Sequence, residues 1–307
     1  MKRIETVAIV GLGAIGAMLL EKISLTLPPE NIRAIVSGER AGRYRENPVT
    51  VNGKQVNFRI RDPKETGESV DLLIFAVKHS QLETAIKDAE NSVGENTLII
   101  SLLNGIISEN IISAAFGREK VLYAYAVGTD STRRGNDIIY KTFAKIPFGE
   151  ARNIGRRSER VSLIEEFFNR TGIPYEIPED MIKSLWAKFM MNVGVNQLSA
   201  VLGATYSAFQ KPGAARDLFK SAMMEVVFLS RLEGINLNES DADKAIQIID
   251  SISPEGKTSM LQDMEAGRKT EAGIFGGTVL ELSRKFGASS PVNEVLVRLI
   301  RAREEAF

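Results

Sequence analysis

Hydrophobic positions follow two regimes along the 307 residues. In the first, short apolar runs alternate with stretches of helical period; from Glu179 onward the 3.6-residue period dominates. Ile4 to Val10 predicts a strand, and Ala17, Met18, Leu19, Leu20 and Ile23 predict the amphipathic helix that follows. Ile32 to Val36 reads as the second strand. Val49 to Val56 reads as a hairpin turning at Asn52-Gly53, a pair suited to a two-residue turn. Val70 to Val77 and Leu98 to Leu103 are nearly unbroken apolar runs, as parallel strands covered on both faces require. Val121 to Val127 and Ile138 to Phe148 predict further strands, then a helix from Ser158 to Asn169 and a short strand from Ile173 to Ile177. Helical patterns follow at 180–202, 214–233, 239–250, 258–285 and 291–304. The change near residue 178 predicts two domains, an α/β domain over 1–178 and an all-helical domain over 179–307.

Composition narrows the function classes. Lys plus Arg and Asp plus Glu are balanced at 39 each, so no global field points to nucleic acid or a membrane surface. With no cysteine, disulfides, thiolate catalysis and cysteine metal sites are excluded. The chain opens on a strand and no apolar run approaches a membrane span, so a cytoplasmic protein is expected. His79 is the sole histidine and lies beside a strand end, which leaves little room for histidine acid–base or zinc chemistry. None of the six tyrosines has a lysine four residues on, another common proton-donor arrangement. Gly256-Lys257-Thr258 imitates the end of a phosphate-binding P-loop, but Ser251 stands where the leading glycine belongs and no strand precedes it.

Between the first strand and its helix stands Gly11-Leu12-Gly13-Ala14-Ile15-Gly16. This order suits a dinucleotide-binding βαβ unit: Gly11 permits the turn, Gly13 lets backbone approach a pyrophosphate, and Gly16 lets helix pack on strand. The helix N-terminus then offers free N–H groups to the phosphates. In the helical half, Lys188, Asn192 and Asn196 recur every four residues, rising along one helix face with a drift of roughly 40° per step. The opposite face carries Met191, Val195 and Leu198, which suit a core. An ammonium and two carboxamides in such a row are costly to bury without partners, and a small polar ligand would supply them. A solvated helix edge is the competing explanation of the row.

Taken in order, the glycine turn, Val77-Lys78-His79-Ser80-Gln81, Asn104-Gly105, Trp186-Ala187-Lys188, Asn192, Asn196, Ser259-Met260-Leu261-Gln262-Asp263 and Thr270-Glu271 resemble the 2-dehydropantoate 2-reductase (ketopantoate reductase) family over nearly the whole chain. The resemblance implies NADPH-dependent reduction of 2-dehydropantoate to (R)-pantoate, on the way to pantothenate and coenzyme A. It implies a Rossmann-type dinucleotide-binding domain followed by an all-helical domain like the C-terminal domain of 6-phosphogluconate dehydrogenase, with the active site in the cleft between them. Residue by residue, Lys188 matches the proton-donating lysine and Glu271 the acid that holds it. Asn192, Asn196 and Ser259 match substrate-binding positions, Asn104 a residue near nicotinamide and substrate, and Lys78 a lysine near the cofactor.

Some positions depart from the family pattern. Ser37 stands where an arginine commonly meets the NADP 2′-phosphate, and Arg40 and Arg43 follow closely enough to replace it. No Asp ends the second strand, although Glu39 could accept the ribose hydroxyls of NAD. Leu103 replaces a glutamine before Asn104-Gly105, and Tyr123 to Thr129 diverges, which bears on the choice of 2-keto acid. Ser259 and Glu271 are 12 positions apart, about 18 Å along an unbroken helix. Joint service at one small site therefore requires a break near Ala266-Gly267-Arg268. Two other functions share much of this pattern: another keto acid reductase or β-hydroxyacid dehydrogenase of the same plan, and a non-catalytic NADP(H) sensor. The helical half could pair with a copy of itself.

Overall fold

The computed structural model describes residues 3–307 and places them in two compact units, one ending at Met181 and one spanning Ile182–Phe307. The strands of the first unit are β1 (Val7–Val10), β2 (Ile32–Ile35), β3 (Thr50–Val51), β4 (Lys54–Gln55), β5 (Arg59–Arg61), β6 (Leu72–Phe75), β7 (Leu98–Ser101), β8 (Val121–Ala124), β9 (Thr132–Arg134), β10 (Asp137–Ile139), β11 (Ile146–Gly149) and β12 (Tyr175–Glu176). Its helices are α1 (Ala14–Ser24), α2 (Glu39–Glu46), α3 (Leu82–Ala89), α4 (Ser108–Phe116) and α5 (Glu159–Thr171).

Eight strands form the main sheet in the order β12-β11-β8-β7-β6-β1-β2-β5, parallel except where β11 runs against β8. Every residue of β1, β6 and β7 is buried, and alternate side chains feed two cores. Val7, Ile9, Leu72 and Ile74 pack with α1 and α5; Ala8, Val10, Leu73 and Phe75 pack with α3 and α4. That double cover explains why these strands read as unbroken apolar runs. The chain leaves β1 toward β2 on one side, while β6 flanks β1 on the other. Direction of winding therefore reverses between the C-terminal ends of β1 and β6, where doubly wound sheets open a ligand crevice.

A second sheet, in the order β4-β3-β10-β9, packs on α1. Asn52 and Gly53 turn its hairpin with φ of 49° and 76°, both positive as the two-residue turn demands. Ile138 to Phe148, expected as a single strand, is two strands in different sheets. The backbone N–H groups of Lys141 and Thr142 both donate to Asp130 Oδ1 at 2.9 Å and turn the chain between them. β5 and β9 escape the periodicity because each is an edge strand carrying arginines.

Helix α6 (Met181–Leu202) leads into the second unit, followed by α7 (Ala214–Leu232), α8 (Glu239–Ser251), α9 (Ser259–Glu265), α10 (Thr278–Phe286) and α11 (Pro291–Glu304). From Val193 to Ala200 every residue of α6 is buried, so it serves as the spine of this unit. Asn238 starts α8 with a reciprocal capping box to Asp241, and Lys183 of α6 pairs with Asp241 at 3.0 Å. Residues 258–285 are not one helix. α9 ends at Glu265, Gly267 takes φ 59°, and a π-helical turn over Gly273–Gly277 runs into α10.

Candidate active site

The glycine turn lies at the crevice. At Gly11 φ is 105°, and a Cβ there would stand 2.5 Å from the carbonyl oxygen of Ala76, just beyond β6. A Cβ at Gly16 would strike the carbonyl oxygen of Gly11. Those two glycines are required by internal packing. Gly13 is not: its nearest atom lies 3.9 Å away, so the space a side chain would fill stays open to a ligand. α1 has neither a side-chain cap nor an acidic residue in its first turn, and Leu12, Gly13, Ala14 and Ile15 present its uncapped end. Free N–H groups at a dipole's positive end with no competing carboxylate fit a pyrophosphate.

Beyond the turn runs a groove of about 140 Å³ lined by Val10, Leu12, Ser37, Arg40, Tyr44 and Asp88 among others. Ser37 is exposed, and its hydroxyl donates to Asp88 Oδ2 at 2.9 Å. A carboxylate therefore does face the end of β2, supplied by α3 rather than by the strand itself. No linear motif could reveal this pairing across 51 positions. Arg40 and Arg43 occupy α2, both on the rim of an adjoining basin that Arg133, Arg134 and Tyr44 share.

Lys78 precedes the short helical turn after β6, and Asn104 lies in the loop after β7, so both stand at C-terminal ends of parallel strands. The loop holding Asn104 rests on a buried polar chain. Ser101 Oγ receives the Leu103 N–H at 3.4 Å and bonds Ser108 Oγ at 2.9 Å, and Ser108 donates to Glu109 at 3.0 Å. Glu109 is 2% exposed. Sequence patterning missed this chain because Ser101, Ser108 and Glu109 look like ordinary strand-end and helix-start residues.

In the helical unit, Lys188 and Asn192 are half-buried and Asn196 is 6% exposed. Val195 and Leu198 are buried as expected of a core face, whereas Met191 is only half-buried. Neither Asn192 nor Asn196 shares a side-chain hydrogen bond with any described residue. The Asn196 carboxamide is not sealed from solvent, so the otherwise buried residue turns its polar end to open space where a polar ligand would be held.

The broken segment meets this same helix at two places. Thr258 caps α9 by accepting the Leu261 N–H at 3.1 Å, and it donates to Ser199 of α6 at 3.1 Å. Ser259, the first residue of α9, is exposed, and the contact with α6 is made by its neighbour Thr258. Further on, a Cβ at Gly276 would collide with the Gln197 side chain, so the π-helical turn approaches α6 closely only because that position is glycine. Glu271 opens this turn, its carbonyl accepting from Ile274 at 3.0 Å and Phe275 at 3.2 Å. The preceding Thr270 is pinned by Glu304, which accepts from both its N–H and its hydroxyl at 2.7 Å. The break at Ala266-Gly267 separates α9, whose cap Thr258 meets α6 at Ser199, from the π-helical turn, whose Gly276 packs against Gln197.

Known proteins share this fold. Residues 7–153 match the family described as ketopantoate reductase PanE/ApbA, and residues 180–304 its C-terminal family. The chain is 28% identical over 312 residues to the 2-dehydropantoate 2-reductase of Aquifex aeolicus, with 96% of each chain covered. Among solved structures, dimeric ketopantoate reductase from Staphylococcus aureus gives a TM-score of 0.79 at 19% identity, covering 98% of this chain and 99% of that one. A D-mandelate dehydrogenase with NADH and anilino(oxo)acetate gives 0.86 at 21% identity with the same coverage. Relatives under the same fold thus include a second kind of dehydrogenase. The chain belongs to the ketopantoate reductase family, a family of oxidoreductases that use a nicotinamide dinucleotide.

Proposed function

We propose that the protein reduces the 2-keto acid 2-dehydropantoate to (R)-pantoate with NADPH. Asn196 carries this reading, because its carboxamide makes no hydrogen bond to the described protein and stands on one helix face with Lys188 and Asn192. When bound, the dinucleotide supplies hydride to the keto carbon. Lys188 polarises the keto oxygen and gives that oxygen its ammonium proton, leaving a neutral amine that water reprotonates. Glu271 holds the lysine, Asn192 and Asn196 bond the substrate's hydroxyl and keto groups, and Ser259 donates to the carboxylate. Gly11 to Gly16 with Ser37, Arg40, Arg43, Lys78 and Asn104 take the cofactor. On this reading the two functional regions are residues 1–178 and 179–307.

Asp88 favours a second cofactor reading. A carboxylate beside Ser37 suits the ribose hydroxyls of NADH, the cofactor held by the D-mandelate dehydrogenase neighbour. NADPH oxidation measured across a panel of 2-keto acids, with NADH in parallel, tests both. Turnover confined to 2-dehydropantoate with NADPH supports the first reading. Turnover of aryl keto acids with NADH supports the second, and dinucleotide binding with no turnover on any acid would make the protein a sensor.

We also propose a homodimer. Phe228 and Leu232 of α7 and Val295 and Leu299 of α11 are exposed apolar residues on two helices that pack together.

A further inference from the structure

We propose that Arg133, carried by β9 of the four-stranded sheet, binds the 2′-phosphate of the dinucleotide together with Arg40, replacing the arginine that β2 lacks at Ser37. The inference rests on the NADPH reading above. Arg133 reaches across 121 positions to the glycine turn, where its Nη1 donates to the Leu12 carbonyl at 2.5 Å. Its Nη2 donates to the Tyr44 hydroxyl at 3.1 Å, and its Nε to the Gly135 carbonyl at 2.7 Å. These bonds fix the guanidinium between the turn and α2. All three partners are neutral, and no described carboxylate pairs with it. Three of its five N–H donors are used, so two remain for an anion.

The basin favours a phosphate, although Asp88, bonded to Ser37, lines the groove that adjoins it. Arg40 and Tyr44 line both the groove above the turn and the basin beside it, making the two continuous. Four arginines, Arg40, Arg43, Arg133 and Arg134, line that basin with a single acid, Asp137, which already accepts from Thr50 at 2.5 Å. A planar guanidinium held in place loses less freedom on binding a phosphate than a free one would. The pyrophosphate belongs at the N-terminus of α1, whereas Tyr44 and Arg40 stand on the helix after β2, where the adenosine ribose lies in such folds. The 2′-phosphate is therefore the group within this guanidinium's range.

Calorimetric titration of NADPH and NADH tests the proposal. Arg133→Met should weaken NADPH roughly 10- to 100-fold, the loss of a charge-assisted pair, while NADH affinity stays within about twofold. Arg40→Met, on an exposed helix, should act the same way. Equal weakening of both cofactors by Arg133→Met would assign the residue to the pyrophosphate or to the turn itself, and would overturn the proposal. Tyr140→Phe controls for sheet anchorage: it removes the Tyr140–Glu21 bond that ties the same sheet to α1 but leaves the charge in place. Its NADPH-to-NADH ratio should match wild type, and a loss like that of Arg133→Met would overturn the inference. A wild type that prefers NADPH, with the preference intact in Arg133→Met, sinks this inference alone. A wild type without the preference sinks the NADPH reading and this inference together.

Discussion

At the scale of single residues, the proposed chemistry turns on polar side chains along one face of α6. Lys188→Ala should lower kcat by about 10²–10⁴-fold, the usual worth of a placed general acid, while calorimetry finds the dinucleotide Kd unchanged. Similar turnover in the variant and wild type would remove Lys188 from the chemistry. Asn196→Leu should raise KM for the keto acid at least tenfold yet not destabilise the fold, because the carboxamide has no protein partner to lose. A marked drop in Tm would instead identify Asn196 as a structural polar group. These residues were legible because a four-residue polar period on an apolar helix is visible in one dimension. Asp88 and Arg133 were not: each acts on an element far away in sequence, and nothing in its own neighbourhood signals the contact.

At the scale of elements, patterning succeeded where burial is two-sided or helical period is long. β1, β6 and β7 and the helices α6, α7, α8 and α11 follow the expected segments closely. It failed where an element buries almost nothing. β9 is wholly exposed, and α2 buries only Ala41, so neither has an apolar rhythm to detect. The break after α9 was legible through Gly267, whose φ of 59° an alanine adopts only at a cost. Gly267→Ala should therefore lose about 1–2 kcal/mol of stability in chemical denaturation, although no atom crowds the site. Tyr140 carries a pH dependence for the second sheet. Burial first, then its bond to Glu21, pushes its phenol up to about 12 from 10.0. The folded state thus favours the protonated phenol. The contribution is complete below about pH 10 and is lost as pH rises toward 12. Tyr140→Phe should cost about 1 kcal/mol near neutral pH, and its difference from wild type should shrink above pH 10.

At the scale of the whole molecule, the sequence conveyed both folds and the order in which they occur, through the change from alternating strands and helices to an all-helical period. The homodimer proposal rests on exposed apolar residues of α7 and α11, Phe228, Leu232, Val295 and Leu299. Phe228→Glu should convert a dimer to a monomer in light scattering, and an unchanged mass would move the interface elsewhere. Among the described residues no helix is long and apolar enough to cross a membrane. The most direct test of the central claim is NADPH oxidation by purified protein with 2-dehydropantoate, set against the Lys188→Ala variant and a panel of other 2-keto acids. The account predicts rapid turnover with 2-dehydropantoate that is nearly abolished in the variant. Turnover that ignores the lysine, or that is absent on 2-dehydropantoate and strong on another acid, would contradict it.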